Sequence, residues 1–215
     1  MGFTSAWAIS AHDDAFVARL APRMLPLLRA DHDDPLAQAR RRRWQARPLP
    51  DYRTWWRPFG NGNDQDAEDL TSFRDLTCPG DRTDEMYQGG PDDTDFYLPD
   101  DVWQEAADTD RMFLSIHSKE YAVASLFHAI GPRRAALLPG WCGNFLLDSA
   151  QLRQALPAVE EALTFRPEER AAAEEQDWLD YYGDDEERVV DGPLRQLREA
   201  AEAGLGVCGV SVHIY

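Results

Sequence analysis

Lysine is almost absent from this sequence: Lys119 stands alone against 21 arginines. With its abundant alanine, that bias points to coding by a GC-rich bacterial genome. Cysteine is scarce too. Cys78, Cys142 and Cys208 are odd in number and far apart, and they form no CxxC or CxxH pair. That excludes a knuckle-type structural zinc site and fits reduced thiols in a cytosol. No apolar run approaches the roughly 20 residues of a membrane span. The opening residues lack a charged head followed by an apolar block, so no secretory signal is expected. Ala6 stands where a myristoylation motif wants Ser or Thr. Low-complexity tracts are missing, and so is any internal repeat beyond one echo of His-Asp-Asp at 12–14 and 32–34. A cytoplasmic protein with no membrane segment is the expectation.

What is present is acid, unevenly placed. The chain of 215 residues carries 39 acids and 22 bases, a net charge of −17. Residues 1–63 hold ten Arg and six Asp, a net of +4. Residues 64–110 hold two Arg and sixteen acids, a net of −14, and residues 111–215 carry −7. Such a protein repels nucleic-acid phosphates at long range and attracts basic partners, although solubility alone is also served by the charge.

A hydrophobic content of 43% supports a packed core without staples. The chain reads as one domain, 1–215, with a helical basic and aromatic part over 1–60, an irregular acidic segment over 61–99 and an α+β core over 100–215. Phe16, Val17, Leu20, Met24, Leu27 and Leu28 recur at helical spacing over 11–29, with Pro22 and Pro26 as kinks or breaks. A second helix starts at Pro35 and runs to about Arg47. Between 48 and 99 regular structure is hard to find, apart from short strands suspected at 73–76 and 95–98. Residues 111–117 read as a buried strand, and 207–215 as a strand with Val210, Val212 and Ile214 on one face. Helices are expected with stripes at Val123–Ile130, Leu152–Leu163, from Pro167, and at Val190–Ala201. The fold class is therefore α+β and mainly helical, with helices packed on a small β-sheet and a long irregular acidic excursion.

Four places could hold chemistry. The two His-Asp-Asp triplets could share a metal through His12, His32 and Asp34. Adjacent helical residues point in different directions, however, so the aspartates read better as helix caps. The stretch 40–59 interleaves arginines with Trp44, Tyr52, Trp55, Trp56 and Phe59. Guanidinium forks bind phosphate or carboxylate and aromatic faces stack, so Arg42, Arg53, Trp55, Trp56 and Arg57 are binding candidates. The competing expectation is that the acidic segment folds back and neutralises these arginines. Cys142, in a Gly-flanked turn, could be a nucleophile if His213 or His117 lowered its pKa, with Asn144 or Asp148 orienting the histidine. His117, Glu120 and His128, read on one helix, lie on a common face, with His128 exposed or facing a partner. Finally, Asp92, Asp93, Asp95, Asp100 and Asp101 cluster near Tyr97 and Trp103, as a glycosidase-type acid pair or an acidic face with aromatic anchors.

The leading functional expectation is an interaction protein of inhibitor, immunity or regulatory type. It would capture a basic protein or peptide by electrostatic steering and through Tyr97 and Trp103. The alternative is an enzyme with a small anionic or aromatic substrate, bound by the Arg/Trp stretch, using His/Asp or Cys/His chemistry. No motif names a cofactor, and nucleic acid is disfavoured by charge.

Overall fold

A computed structural model describes residues 4–55, 64–78, 102–103, 105–108, 111–181 and 186–214. The architecture is α+β. Strands β1 (Thr4–His12), β2 (Phe113–Ser118), β3 (Phe145–Leu147) and β4 (Gly206–Ile214) form one antiparallel sheet in the order β2-β1-β4-β3. The central strand β1 is the element the sequence reading missed. Its residues Thr-Ser-Ala-Trp-Ala-Ile-Ser-Ala-His do not alternate apolar and polar, because both faces of the strand are covered and all but Thr4 are buried. Small Ala and Ser side chains let layers close on either side.

One face of the sheet is covered by α1 (Asp14–His32), whose Phe16, Val17, Leu20, Met24 and Leu28 pack on Ala6, Leu146, Cys208, Val210 and Val212. Val210 and Val212 thus share a face, as the alternation in β4 implies. The other face is covered by α4 (Ala122–Ala135), α5 (Ser149–Leu163) and α7 (Gly192–Glu202), around a core that includes Trp7, Ile9, Phe113, Phe145 and Val207. Helices α2 (Pro35–Ala46), α3 (Asp64–Thr77) and α6 (Pro167–Gln176) pack outside this layer, with one helical turn at Tyr52–Trp55.

Helix boundaries follow capping chemistry. Asp13 accepts from the Phe16 amide at 2.7 Å and caps α1, while Asp34 accepts from Leu36 at 3.3 Å and caps α2. Asp148 and Gln151 form a reciprocal capping box on α5. Gly204, at φ +71°, closes α7 with bonds from Leu205 to Ala200 and from Gly204 to Ala201, a Schellman stop.

Pro22, Pro26 and Pro157 sit inside α1 and α5 without ending them, and Pro193 begins α7 instead of bending it. Gly131, at φ 72° and ψ 168°, kinks α4 where a stop was expected. Tyr121 precedes that helix without a side-chain cap. On α6 the buried residue is Ala173, while Ala171 is exposed.

Two expectations for the middle of the chain are corrected. Residues 64–77 are helical, and no strand forms at 73–76. The buried stripe of α3 is Asp69, Phe73, Leu76 and Thr77. Its first member is a carboxylate, which hides the period from any count of apolar residues. The β2 strand is not buried throughout. Phe113, Ser115 and His117 face inward, while Leu114 and Ile116 are 38% and 46% exposed.

Candidate functional site

The arginines of α2 face the acids of α3. Arg40 bonds to Asp75 at 2.6 Å, Arg43 to Asp69 at 2.5 Å and to Glu68 at 3.0 Å, and Arg47 to Asp66 at 3.0 Å, with its guanidinium also in ion-pair range of Asp69 at 3.1 Å. Asp69 is 5% exposed and is shared by two guanidiniums, so it is the hub of the cluster. Arg53 pairs with Asp51 and with Glu175. The expected fold-back of the acidic segment therefore holds for Arg40, Arg43 and Arg47, whereas Arg53 is paired by acids from outside that segment. Arg42 is exposed. Trp56, Arg57, Tyr97 and the cluster Asp92–Asp101 lie outside the described residues, as does the side chain of Trp55. Trp103 packs half-buried against the core under α1, with its indole nitrogen buried and without a partner among the described residues.

The structure does not bring His12, His32 and Asp34 together. His12 precedes α1 and His32 ends it, so the helix holds them roughly 28 Å apart. His12 is fully buried, and its ring stacks on Phe16 at 4.0 Å. Its Nδ1 donates to the Glu105 carbonyl at 3.1 Å, and Ser10 Oγ donates to its Nε2 at 2.8 Å. Both ring nitrogens are thereby engaged in the neutral form. His32 bonds to Asp33 and meets Trp141 edge-on at 4.8 Å. Among the described residues no three His, Cys, Asp or Glu side chains are placed to hold a metal ion.

Burial lowers the His12 pKa to about 4, against weaker opposition from the Glu105 carbonyl and carboxylate and from Asp13. The unfolded chain takes up this proton near pH 6.5, and the folded chain only near pH 4. Stability is thus complete above pH 6.5 and falls as pH drops toward 4, by about 3 kcal/mol from this group. Urea titrations at pH 7 and pH 4.5 should show the loss, and His12→Asn should flatten the slope in that window.

Cys142 and the two histidines suggested for it occupy different places. Cys142 lines a pocket with Arg41, Trp44 and Trp141, whereas His213 lines a cleft with Arg40, Arg74, Cys78 and Tyr121. Burial pushes the thiols of Cys142 and Cys208 up, and that of Cys78 to about 12, so the three remain protonated and weakly nucleophilic. Asn144 accepts from the Ser211 amide at 2.8 Å and Asp148 caps α5, so neither orients a histidine.

The sheet assembles a polar row that sequence reasoning passed over. The register sets Ser5 opposite both His117 and His213. His117 is on β2 rather than on a helix with His128, and it is 3% exposed, with Ser115 Oγ at 2.8 Å and Glu186 at 3.6 Å. Burial lowers its pKa, while Glu186, Asp177 and Asp180 resist. Glu120 is held above its usual range by burial and by Asp180 and Asp177. Asp177 accepts from Ser125 at 2.8 Å and from Tyr181 at 2.6 Å, which ties this acidic loop to α4. His213 bonds to Tyr121 at 3.0 Å. A signal existed: Ser-x-His occurs at 115–117 on β2 and 211–213 on β4, on the face of Ser5, while a third copy at 10–12 on β1 faces α1 instead. Ser and His two apart share a strand face and can bond, as they do at 10–12 and 115–117. His128 is not exposed. Its Nε2 meets the Pro50 carbonyl at 3.0 Å, and its ring lies against Trp178 and Phe73.

The sheet edge is the other surface feature. The β2 strand is one of the two edge strands, the longer one, and no described strand pairs with its outer side. Its exposed Leu114 and Ile116 lie on the α1 side, while Asp180, Glu186 and Glu120 lie about its Ser118 end on the other. No described helix is long and apolar enough to cross a membrane. No family model, curated protein or solved structure matches the chain.

Proposed function

We propose that the protein binds a basic protein or peptide by accepting one of its segments as an added strand on the outer edge of β2. The observation that carries this reading is the edge itself, with no described strand on its outer side, two exposed apolar side chains on one face and crowded carboxylates on the other. An added strand sends alternate side chains to opposite faces. Apolar residues of the partner would cover Leu114 and Ile116, and intervening Lys or Arg residues would meet Asp180, Glu186 and Glu120. With 39 acids to 22 bases, at least 17 carboxylates are left over even if every base takes one, so the wider field steers a cationic partner inward. Of the sixteen acids of 64–110, Asp66, Glu68, Asp69 and Asp75 are engaged with α2, and the proposal therefore rests on β2 instead of on that segment. The three cysteines are free, which suits a reducing cytoplasm and a regulatory or inhibitory role there.

The test is calorimetric titration with an eight-residue peptide of alternating Lys and Val. We expect saturable 1:1 binding that weakens steeply between 50 and 300 mM salt, and at least a tenfold loss in Ile116→Asp. Equal binding by an alternating Glu/Val peptide, or an unaffected Ile116→Asp, would refute the reading.

A further inference from the structure

A cleft of about 480 Å³ opens where α2 and α3 meet the end of the sheet. One wall is a polar stripe of α3. Thr71, Arg74, Asp75 and Cys78 recur at i, i+3, i+4 and i+7, beside the buried stripe of Phe73, Leu76 and Thr77. The Cys78 amide bonds to the Arg74 carbonyl at 2.8 Å, which carries the helical spacing one residue past the helix end. From the sheet side come Tyr121, just before α4, and His213, near the end of β4, with the phenol oxygen 3.0 Å from the imidazole Nε2. Arg40 reaches in from α2.

The cleft is cationic in an acidic protein. Two guanidiniums and one carboxylate line it, in a chain of net charge −17. At physiological salt the Debye length is about 8 Å, so distant acids are screened and the lining charges decide what enters. Arg74 is exposed and makes no ion pair among the described residues, and its guanidinium lies in hydrogen-bonding reach of the Cys78 thiol. Burial keeps that thiol protonated, so it adds no negative charge to compete with an anion. Arg40 gives one nitrogen to Asp75 at 2.6 Å. A guanidinium carries several N–H donors, so the rest of its fork remains for a second anion. The two forks enter from different helices. A planar carboxylate is satisfied by one fork, whereas a phosphate group offers acceptor oxygens on several sides. The volume lies within the range of small-ligand sites and exceeds what a phosphate group fills. Asp75 and Thr71, both exposed on the stripe, are acceptors suited to hydroxyl groups in the remaining space.

We infer that this cleft binds a small sugar phosphate, its phosphate on Arg74 and Arg40 and its hydroxyls on Asp75 and Thr71. The cleft shares no residue with the β2 edge, and a ligand here would give the protein a small-molecule input besides its protein partner.

The probe is ribose 5-phosphate, with ribose as its control, titrated into the full chain by calorimetry. Saturable 1:1 binding is expected for ribose 5-phosphate and none for ribose. Inorganic phosphate should compete for the site at least tenfold more weakly, because it leaves Asp75 and Thr71 without hydroxyls. Arg74→Gln should weaken ribose 5-phosphate at least tenfold, through loss of a charge-assisted contact. Thr71→Trp should block binding by filling the cleft. Both positions are exposed on α3, so neither change disturbs the core. The inference is overturned by no saturable binding up to millimolar concentration, by ribose or inorganic phosphate binding as tightly as ribose 5-phosphate, or by binding that either variant leaves unaltered.

Discussion

Asp69→Ala is expected to destabilise the protein by about 3 kcal/mol, the lower end of what breaking a buried ion pair costs. The carboxylate is 5% exposed, accepts a hydrogen bond from Arg43 and lies in ion-pair range of Arg47, and its loss leaves the two arginines with only the more exposed Glu68 and Asp66. The arginines themselves are 37% and 47% exposed and can turn to water, which keeps the loss at that lower end. For a chain of this size the change corresponds to a fall of roughly 6–12 °C in Tm. Asp75→Ala is the control, because its pair with Arg40 is open to solvent and should contribute under about 1 kcal/mol. Differential scanning calorimetry of the two variants separates a hub from a surface pair. Equal, small effects would mean that α2 and α3 are joined by the contacts of Trp44 with Phe73 alone.

Trp7→Ala is expected to cost more, about 4 kcal/mol, near the middle of the range for deleting a buried large aromatic. Trp7 is 3% exposed on the central strand, and its ring meets Phe113 edge-on at 5.2 Å. Its indole N–H donates to the Gly143 carbonyl at 3.0 Å, fastening the Trp141–Asn144 turn to the sheet. Truncation opens a cavity between β1 and α4 and releases that turn together. Trp7→Phe keeps most of the ring contact and loses the hydrogen bond, so its cost should be about 1–2 kcal/mol. Urea denaturation curves resolve the two. A Trp7→Ala protein as stable as Trp7→Phe would place the stabilising core elsewhere.

The helices with regular apolar stripes were legible in the sequence. So were the caps at Asp34 and Asp148, and the alternation of β4, because each depends on neighbours within a few residues. The His-Asp-Asp echo resolved correctly into two caps for the same reason. What stayed hidden depends on partners far away in sequence. The small residues of β1 gave no period because helices cover both its faces. Asp69 broke the stripe of α3 because the residues that make its burial favourable, Arg43 and Arg47, are on another helix. The pairing of Cys142 with His213 failed because residue types do not fix which cleft a side chain lines. The edge character of β2 could not be read either. An apolar run looks the same in a central strand and in one whose outer face is open.

The central claim is that β2 receives a cationic strand, and amide hydrogen exchange tests it most directly. Exchange should be followed over residues 113–118 with and without the alternating Lys/Val peptide, alongside the strands that already pair on both sides. The account predicts that amides of β2 pointing away from β1 slow at least tenfold, that β1 and β4 barely change, and that Ile116→Asp removes the effect. Peptide binding with unchanged β2 exchange would contradict it and move the interaction to the acidic surface at large.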